Sequence, residues 1–349
     1  MEADRLMEMI TPRVEQFTGC LIGQCLGDAT GCRVEGYPYY ACENYVNYEL
    51  KIKQPKDRDR FPFPFGQYTD DSQLARELLQ SYLACGGFDP EDYARRIAAI
   101  FAENRIVGKG SATEQAAMRL AKGVPWQQAG TPAPNAGNGS AMRAGPIGLI
   151  WYDRPQELIQ TARDQGIITH QDPRCSAGAV AIAGAVALAL RGESINPQFF
   201  LSQLSEWVEP IEPTFATYLQ QLIQWQTLPP AEAVTFISKA GLPPGGRYNP
   251  GNIPWEHISP FVVSSVLWSL YSFLHTPTDY WETICTAVAA GGDTDTTAAM
   301  AGAISGAYLG IEAIPSELAQ RLNDRYTWGY SELVELAQQC YQLKLSPTL

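Results

Sequence analysis

The stretch Gly291-Gly292-Asp293-Thr294-Asp295-Thr296-Thr297 runs without interruption into Ala298 to Gly310, a segment of mostly small residues with no proline. Its order predicts a helix over Thr296–Leu309 whose N-terminal end carries two carboxylates and several hydroxyls. The two glycines before it allow positive φ or close backbone approach. More than two hundred residues upstream, Thr69-Asp70-Asp71-Ser72 repeats the arrangement and leads into a Leu-rich helical pattern. Asp and Thr at a helix start commonly act as N-caps. A cap needs one side chain, however, and each cluster supplies two carboxylates. Oxygen-only ligation of this kind suits hard divalent cations, Mg²⁺ or Mn²⁺, rather than zinc or copper. If the clusters meet, four carboxylates share one small volume, and like charges that close are tolerated only when protonated or neutralised by cations.

Outward from these clusters, helical periodicity dominates. Helices are expected over Val14–Cys25, Ser72–Cys85, Pro90–Asn104, Ala112–Ala121, Pro155–Gln165, Arg174–Leu190, Asn196–Trp207, Thr214–Gln226, Ala231–Ser238, Ser259–Leu274, Tyr280–Ala290, Thr296–Leu309, Pro315–Tyr326 and Ser331–Gln342. The best strand signal is Tyr45–Ile52. The fold class read from this is all-α, a compact multi-helix bundle. Two irregular stretches, 36–68 and 241–255, interrupt it; each is read either as a surface excursion with no role, the default, or as a rim over a ligand pocket. No boundary is drawn between the acidic clusters, so residues 1–349 are read as one domain.

The composition of the 349 residues is 45% hydrophobic and 18% charged, that of a soluble globular protein. A net charge of −12 argues against an extended nucleic-acid footprint. The eight cysteines form no C-x-x-C pair and read as reduced, buried thiols of a cytoplasmic protein. Three histidines, His170, His257 and His275, are too few to suggest a histidine-based zinc centre. The acidic N-terminus has no signal-peptide character. The longest apolar stretch, Cys175 to Leu190, is shorter than the roughly 20 residues of a membrane span, and its small residues suit a helix buried among others.

Three further segments carry candidate chemistry. Gly19 to Gly31 places glycines at every fourth position, Gly19, Gly23, Gly27 and Gly31, which permits tight helix packing and predicts chain breaks at Gly27 and Gly31. Asp28 lies within it, and Glu35 follows. Asn135-Ala136-Gly137-Asn138-Gly139-Ser140-Ala141-Met142-Arg143 is either a simple Asn-Gly turn or a loop whose backbone N–H groups cradle an anion. Thr169-His170-Gln171-Asp172-Pro173 opens the Ala-rich helix, with Asp172 and Pro173 as N-cap and first helical residue. His170 has no structural motive visible in sequence.

In this order, the five segments resemble the ADP-ribosylglycohydrolase family, from Phe17 to Gly310. The resemblance implies an all-α fold with a binuclear Mg²⁺ cleft, Mn²⁺ being the alternative metal. Its implied metal ligands are Thr69, Asp70, Asp71, Asp293, Asp295 and Thr296. Gly137, Asn138, Gly139, Ser140 and Met142 would hold a pyrophosphate, and His170 would lie near the ribose or adenine. Asp28 and Glu35 match acidic positions of the first motif and are the candidates for catalysis. One departure bears on specificity: where arginine-directed members carry an aspartate before a glycine, this chain reads Arg105-Ile106-Val107-Gly108-Lys109-Gly110. The general base is then Glu35 or a hydroxide held by the metals.

The expected activity is metal-dependent hydrolysis of the bond between ADP-ribose and a modified protein side chain or small conjugate, by a monomer needing no membrane. Two alternatives stand beside it: an ADP-ribose-binding member without catalysis, and a hydrolase of a related ADP-ribosyl metabolite or nucleic-acid end.

Overall fold

The computed structural model describes residues 11–57, 62–192, 194–248 and 255–346. Readings that fall on the acidic N-terminus before Thr11, on the start of the Arg60-to-Phe65 run and on the middle of the Gly241-to-Trp255 loop lie outside the described residues. The architecture is all-α. Two helices form its axis: α1 (Val14–Gly31) and a helix at the other end of the chain, Thr294–Leu309. Between them come α2 (Tyr39–Tyr45), α3 (Asp70–Cys85), α4 (Pro90–Ala102), α5 (Ser111–Ala121), α6 (Trp126–Ala129), α7 (Gly145–Ile150), α8 (Pro155–Ile167) and α9 (Pro173–Ala189). There follow α10 (Pro197–Val208), α11 (Pro213–Trp225), α12 (Pro230–Ile237), α13 (Val262–His275) and α14 (Tyr280–Ala289). The Thr294–Leu309 helix is α15, and α16 (Ser316–Ala319) and α17 (Tyr330–Leu345) complete the set.

The glycine spacing explains the axis. A Cβ on Gly19 would sit 2.4 Å from the Gly306 carbonyl oxygen, on Gly23 2.4 Å from Gly302 O, on Gly27 2.1 Å from Ala298 O and on Gly31 2.2 Å from Thr294 O. The two helices therefore run antiparallel with backbones in direct contact, in a register that pairs every fourth residue. A glycine inside a helix costs about 1 kcal/mol relative to alanine; here the close packing it permits offsets that. The helix consequently runs through Gly27, where a break was expected, and ends at Gly31 as foreseen. Around this pair pack α3, α9, α13, α14 and α17. From Cys175 to Ala189 every residue of α9 is buried, as expected of a helix apolar on all sides.

Two sequence readings are corrected. Tyr45–Ile52 is no strand: α2 continues into a π-helical turn, Val46–Leu50. Cys42, Tyr45, Val46 and Leu50 are the buried residues, with Cys42, Val46 and Leu50 at the four-residue spacing of a helix face, and the indole of Trp281 closes the end by donating to Leu50 O at 2.7 Å. The expected helix over Pro315–Tyr326 stops at Ala319. Beyond it the chain folds inward so that Asp324 meets Arg76 of α3 at 2.7 Å, and Arg325 and Tyr326 take positive φ of 50° and 65°. Arg76 is fully buried between Tyr68 and Trp328, and Gln73 also donates to Asp324, at 2.9 Å. This buried ion pair, with the Gln73 bond beside it, ties the start of α3 to the segment after α16.

Among the described residues there is no extended strand, only four isolated bridges: Gln67 with Asn323, Thr131 with His170, Gly137 with Phe261 and Ile258 with Gly292. Three of them tie down loops that carry motif residues. All eight cysteines are free thiols, and all but Cys85 are buried. None of the described helices is long and apolar enough to cross a membrane.

Candidate active site

The axis delivers the N-terminus of α15 to a fixed place. Gly291 and Gly292 turn the chain with φ of 73° and 86°, and a Cβ on Gly292 would fall 1.9 Å from Ile258 O, so only glycine fits. Asp293 stands at the N-cap position of α15 with its side chain making no cap hydrogen bond, while Asp295 and Thr296 lie in the first turn. Thr69 occupies the corresponding position before α3, with Asp70 and Asp71 in the first turn. Each carboxylate pair thus sits at the positive end of a helix dipole. The two ends meet: Asp70, Asp71, Asp293, Asp295, Thr296 and Glu35 line one cleft of about 310 Å³. Carboxylate oxygens of Glu35, Asp293 and Asp295 lie within 4.8 Å of one another.

The electrostatics are those of charge crowded out of water. Burial comes first in pushing the carboxyls of Asp70, Asp71 and Asp295 well above the usual range, and repulsion from neighbouring carboxylates adds to it. Asp293 is also raised by burial, with the Asn138 amide working against the shift. Asp71 Oδ1 is buried and has no hydrogen-bond partner. A partnerless buried carboxylate oxygen among like charges is the environment a divalent cation relieves, and an all-oxygen donor set fits Mg²⁺ or Mn²⁺.

The remaining expected residues divide. Asp28 does not reach the cleft. It is fully buried behind Thr69, and its carboxylate accepts from Thr69 N at 2.9 Å, Thr69 Oγ1 at 2.8 Å and Ser72 N at 3.1 Å. Burial raises it to about 6, with the Ser72 and Thr69 hydrogen bonds working the other way. Its geometry is that of an anchor for the first turn of α3. Thr69 also faces away, its hydroxyl spanning Asp28 and, at 3.1 Å, Asp71 Oδ2. Ser140 is likewise buried, donating to Cys175 O at 2.9 Å. Gly137, Asn138, Gly139, Met142 and His170 line the cleft. Asn138 joins the loop to the carboxylates, its amide donating to Asp293 Oδ2 at 2.6 Å. Gln24 of α1 ties three parts together by donating to Asp71 O at 3.1 Å and Met142 O at 2.9 Å.

Gly139 has a steric reason to be glycine. A Cβ there would lie 2.6 Å from His170 Cε1 and 3.2 Å from Thr113 Oγ1. The imidazole packs against the loop through its Cε1–Nε2 edge, which links two motifs that sequence leaves separate. Ser111 and Thr113 of α5 and Asn135 also line the cleft, and so do Tyr248 and Trp255, from the 241–255 stretch for which a rim was one of the two readings. Tyr248 donates to Asn135 Oδ1 at 2.9 Å. The sequence signal for Tyr248 and Trp255 was the Gly- and Pro-rich stretch that holds them; Ser111 and Thr113 had none. The loop before α5 also braces α3: Asp70 N donates to Val107 O at 2.8 Å, Val107 N to Gln73 Oε1 at 2.8 Å and Gly110 N to Asp70 Oδ2 at 3.3 Å.

Burial pushes the His170 pKa down to about 3, the nearby Arg143 cation adding to the shift and Asp172 opposing it. An unfolded histidine titrates near ~6.5. The folded value is the lower one, so below that pH the unfolded chain binds more protons, and His170 subtracts stability as pH falls from ~6.5. The slope is at most ~1.4 kcal/mol per pH unit. Urea melts between pH 7.5 and 5 are therefore expected to show His170→Asn losing less stability on acidification than the parent; parallel losses would contradict the neutral, buried imidazole.

The family model described as ADP-ribosylglycohydrolase matches residues 9–347, and the chain belongs to that family. It is 30% identical over 361 residues to ADP-ribosylhydrolase ARH3 of Xenopus tropicalis, covering 97% of this chain and 99% of that protein. Against the ADP-ribosylarginine hydrolase Tri1 of Pseudomonas putida (strain GB-1) the identity is 24% over 344 residues, 95% of this chain and 80% of that protein. A solved structure named ADP-ribosylglycohydrolase-related protein complex is similar with a TM-score of 0.68 at 26% identity, covering 96% of this chain and all of that one.

Proposed function

We propose that this protein hydrolyses the glycosidic bond between ADP-ribose and a modified side chain or small conjugate, and that it does so with two divalent cations, Mg²⁺ or Mn²⁺. The observation that carries the reading is the convergence of two carboxylate-bearing helix N-termini in one cleft with Glu35, beside a glycine loop and a buried histidine. Asp70, Asp71, Asp293, Asp295 and the hydroxyl of Thr296 are the groups that would hold the metals, while Thr69, turned toward Asp28, would orient Asp71 from behind. The chemistry a bound pair supplies is charge neutralisation, orientation of sugar hydroxyls and activation of water. Glu35, on the exposed lip of the cluster, orients a water toward the anomeric carbon of the distal ribose and takes its proton. As the bond to the target breaks, positive charge develops on the sugar ring, and the adjacent carboxylates stabilise it. Asn138 and His170 hold the rest of the ligand, and Asp28 keeps the first turn of α3 in position.

The decisive assay offers arginine-linked, serine-linked and O-acetyl ADP-ribose with Mg²⁺, with Mn²⁺ or with chelator, and measures released ADP-ribose. Release from at least one substrate, abolished by chelator, is expected; tight ADP-ribose binding without release from any would instead establish a non-catalytic binder. A companion measurement concerns the metal itself. Saturating Mg²⁺ is expected to stabilise the fold by ~2.7 kcal/mol at a hundredfold excess over its dissociation constant. Asp70→Asn combined with Asp295→Asn is expected to erase that response, and a double variant that still responds like the parent would place the metals elsewhere.

A further inference from the structure

The glycine loop and the Thr169-His170 pair share a buried cation that the chemistry above leaves unused. Arg143 is fully buried. Its Nε donates to Gln165 Oε1 at 2.8 Å, and its Nη2 donates to Gln165 O at 2.9 Å and to Thr169 Oγ1 at 2.8 Å. Thr169 Oγ1 in turn lies 2.8 Å from His170 Nδ1. A guanidinium has only donors to offer. The Thr169 hydroxyl therefore accepts from Arg143; although a hydroxyl can accept twice, among the described residues its own proton has no acceptor other than Nδ1, and pointing it there satisfies both groups. A ring nitrogen that accepts a hydrogen bond carries no proton, so in the neutral imidazole the proton resides on Nε2. That edge of the ring faces the glycine loop: Nε2 lies 3.4 Å from where a Gly137 Cβ would be and 3.2 Å from the same point on Gly139.

We propose that Arg143 and Thr169 are positioning residues that lock His170 as its Nε2–H tautomer, so that the cleft presents a fixed, neutral donor to an acceptor atom of its ligand. A donor aligned before binding costs no reorganisation when the ligand arrives. Gly137 and Gly139 complete the device by leaving room for the ring to lie against the backbone. That the ligand is an ADP-ribose conjugate rests on the function proposed above; the tautomer does not.

Two readouts separate these claims. Long-range ¹H–¹⁵N correlation of the ¹⁵N-histidine-labelled, ligand-free protein reads the tautomer directly, and with three histidines in the chain a His170→Asn sample assigns the signal. Nδ1 is expected to appear as the unprotonated nitrogen and Nε2 as the protonated one. In Thr169→Val the pattern is expected to become mixed or reversed, and ADP-ribose affinity to fall about 5- to 30-fold, the scale of one lost hydrogen bond. Thr169→Ser, which keeps the hydroxyl, is expected to restore both. A proton on Nδ1 in the parent overturns the proposal without any variant being needed. An unchanged tautomer and affinity in a folded Thr169→Val does the same. If the tautomer is as stated but ADP-ribose does not bind the parent, the relay stands and the functional reading fails.

Discussion

Glu35→Gln is expected to lower turnover on the susceptible ADP-ribosyl substrate by between about 10² and 10⁴, the range for loss of a positioned general base, while leaving ADP-ribose affinity within a few-fold. The substitution keeps the size of the side chain and removes its charge. Two observations single out this residue. Its carboxylate oxygen lies within 4.8 Å of those of Asp293 and Asp295. Among the acidic residues lining the cleft it is the exposed one, whereas the other four are at most 5% exposed, so it alone can reach a water that approaches from solvent. Asp28, the other acidic candidate, is screened from the cleft by Thr69, and Asp28→Asn should act through α3, lowering metal response and activity together. A Glu35→Gln protein with near-parental turnover would mean that Glu35 is not the general base and would leave the alternative named from the sequence, a hydroxide held by the metals. Measuring kcat and the dissociation constant separately is what divides the outcomes.

The parts of this site that were legible in sequence are those where one short segment states its own chemistry. Thr69 to Ser72 and Gly291 to Thr297 each combine carboxylates with a helix start, and the structure joins them in one cleft. What stayed hidden depends on pairs of distant segments. The reason Gly139 is glycine becomes visible only when His170, from another motif, lies against it. Asp28 was a candidate for catalysis because it matches an acidic position of the family's first motif, a match that says nothing of its contacts. Its partners, Thr69 and Ser72, come from another helix. The strand expected over Tyr45–Ile52 followed β-branched and aromatic content; the spacing of Cys42, Val46 and Leu50 was the better signal, since it repeats every four residues. The shortened helix after Pro315 had no local signal at all, because what turns the chain inward is the buried Arg76, more than two hundred residues away.

The glycine axis predicts the largest effect on the fold itself. Gly27→Ala is expected to destabilise the protein by ~3 kcal/mol or more, at or beyond the upper end for inserting a methyl group into a packed core. In an exposed helix the same change would stabilise by about 1 kcal/mol. The sign reverses here because the new Cβ would lie 2.1 Å from Ala298 O and 2.6 Å from Ala298 C, backbone atoms that no rotamer change can move aside. Relief requires α1 and α15 to separate. Separation moves Asp293 and Asp295 at the start of α15 away from Glu35 and from α3, which Asp28 of α1 anchors, so activity and Mg²⁺ response should fall even in molecules that remain folded. A displacement near 1 Å can cost about 100-fold in rate. Gly87→Ala, at a glycine with nothing within 4 Å of the added Cβ, is the control and is expected to be close to neutral. Thermal melts of both variants, with and without Mg²⁺, test the point: parental stability in Gly27→Ala would mean that the two helices do not touch along this seam, and the convergence of the two acidic clusters would then need another cause.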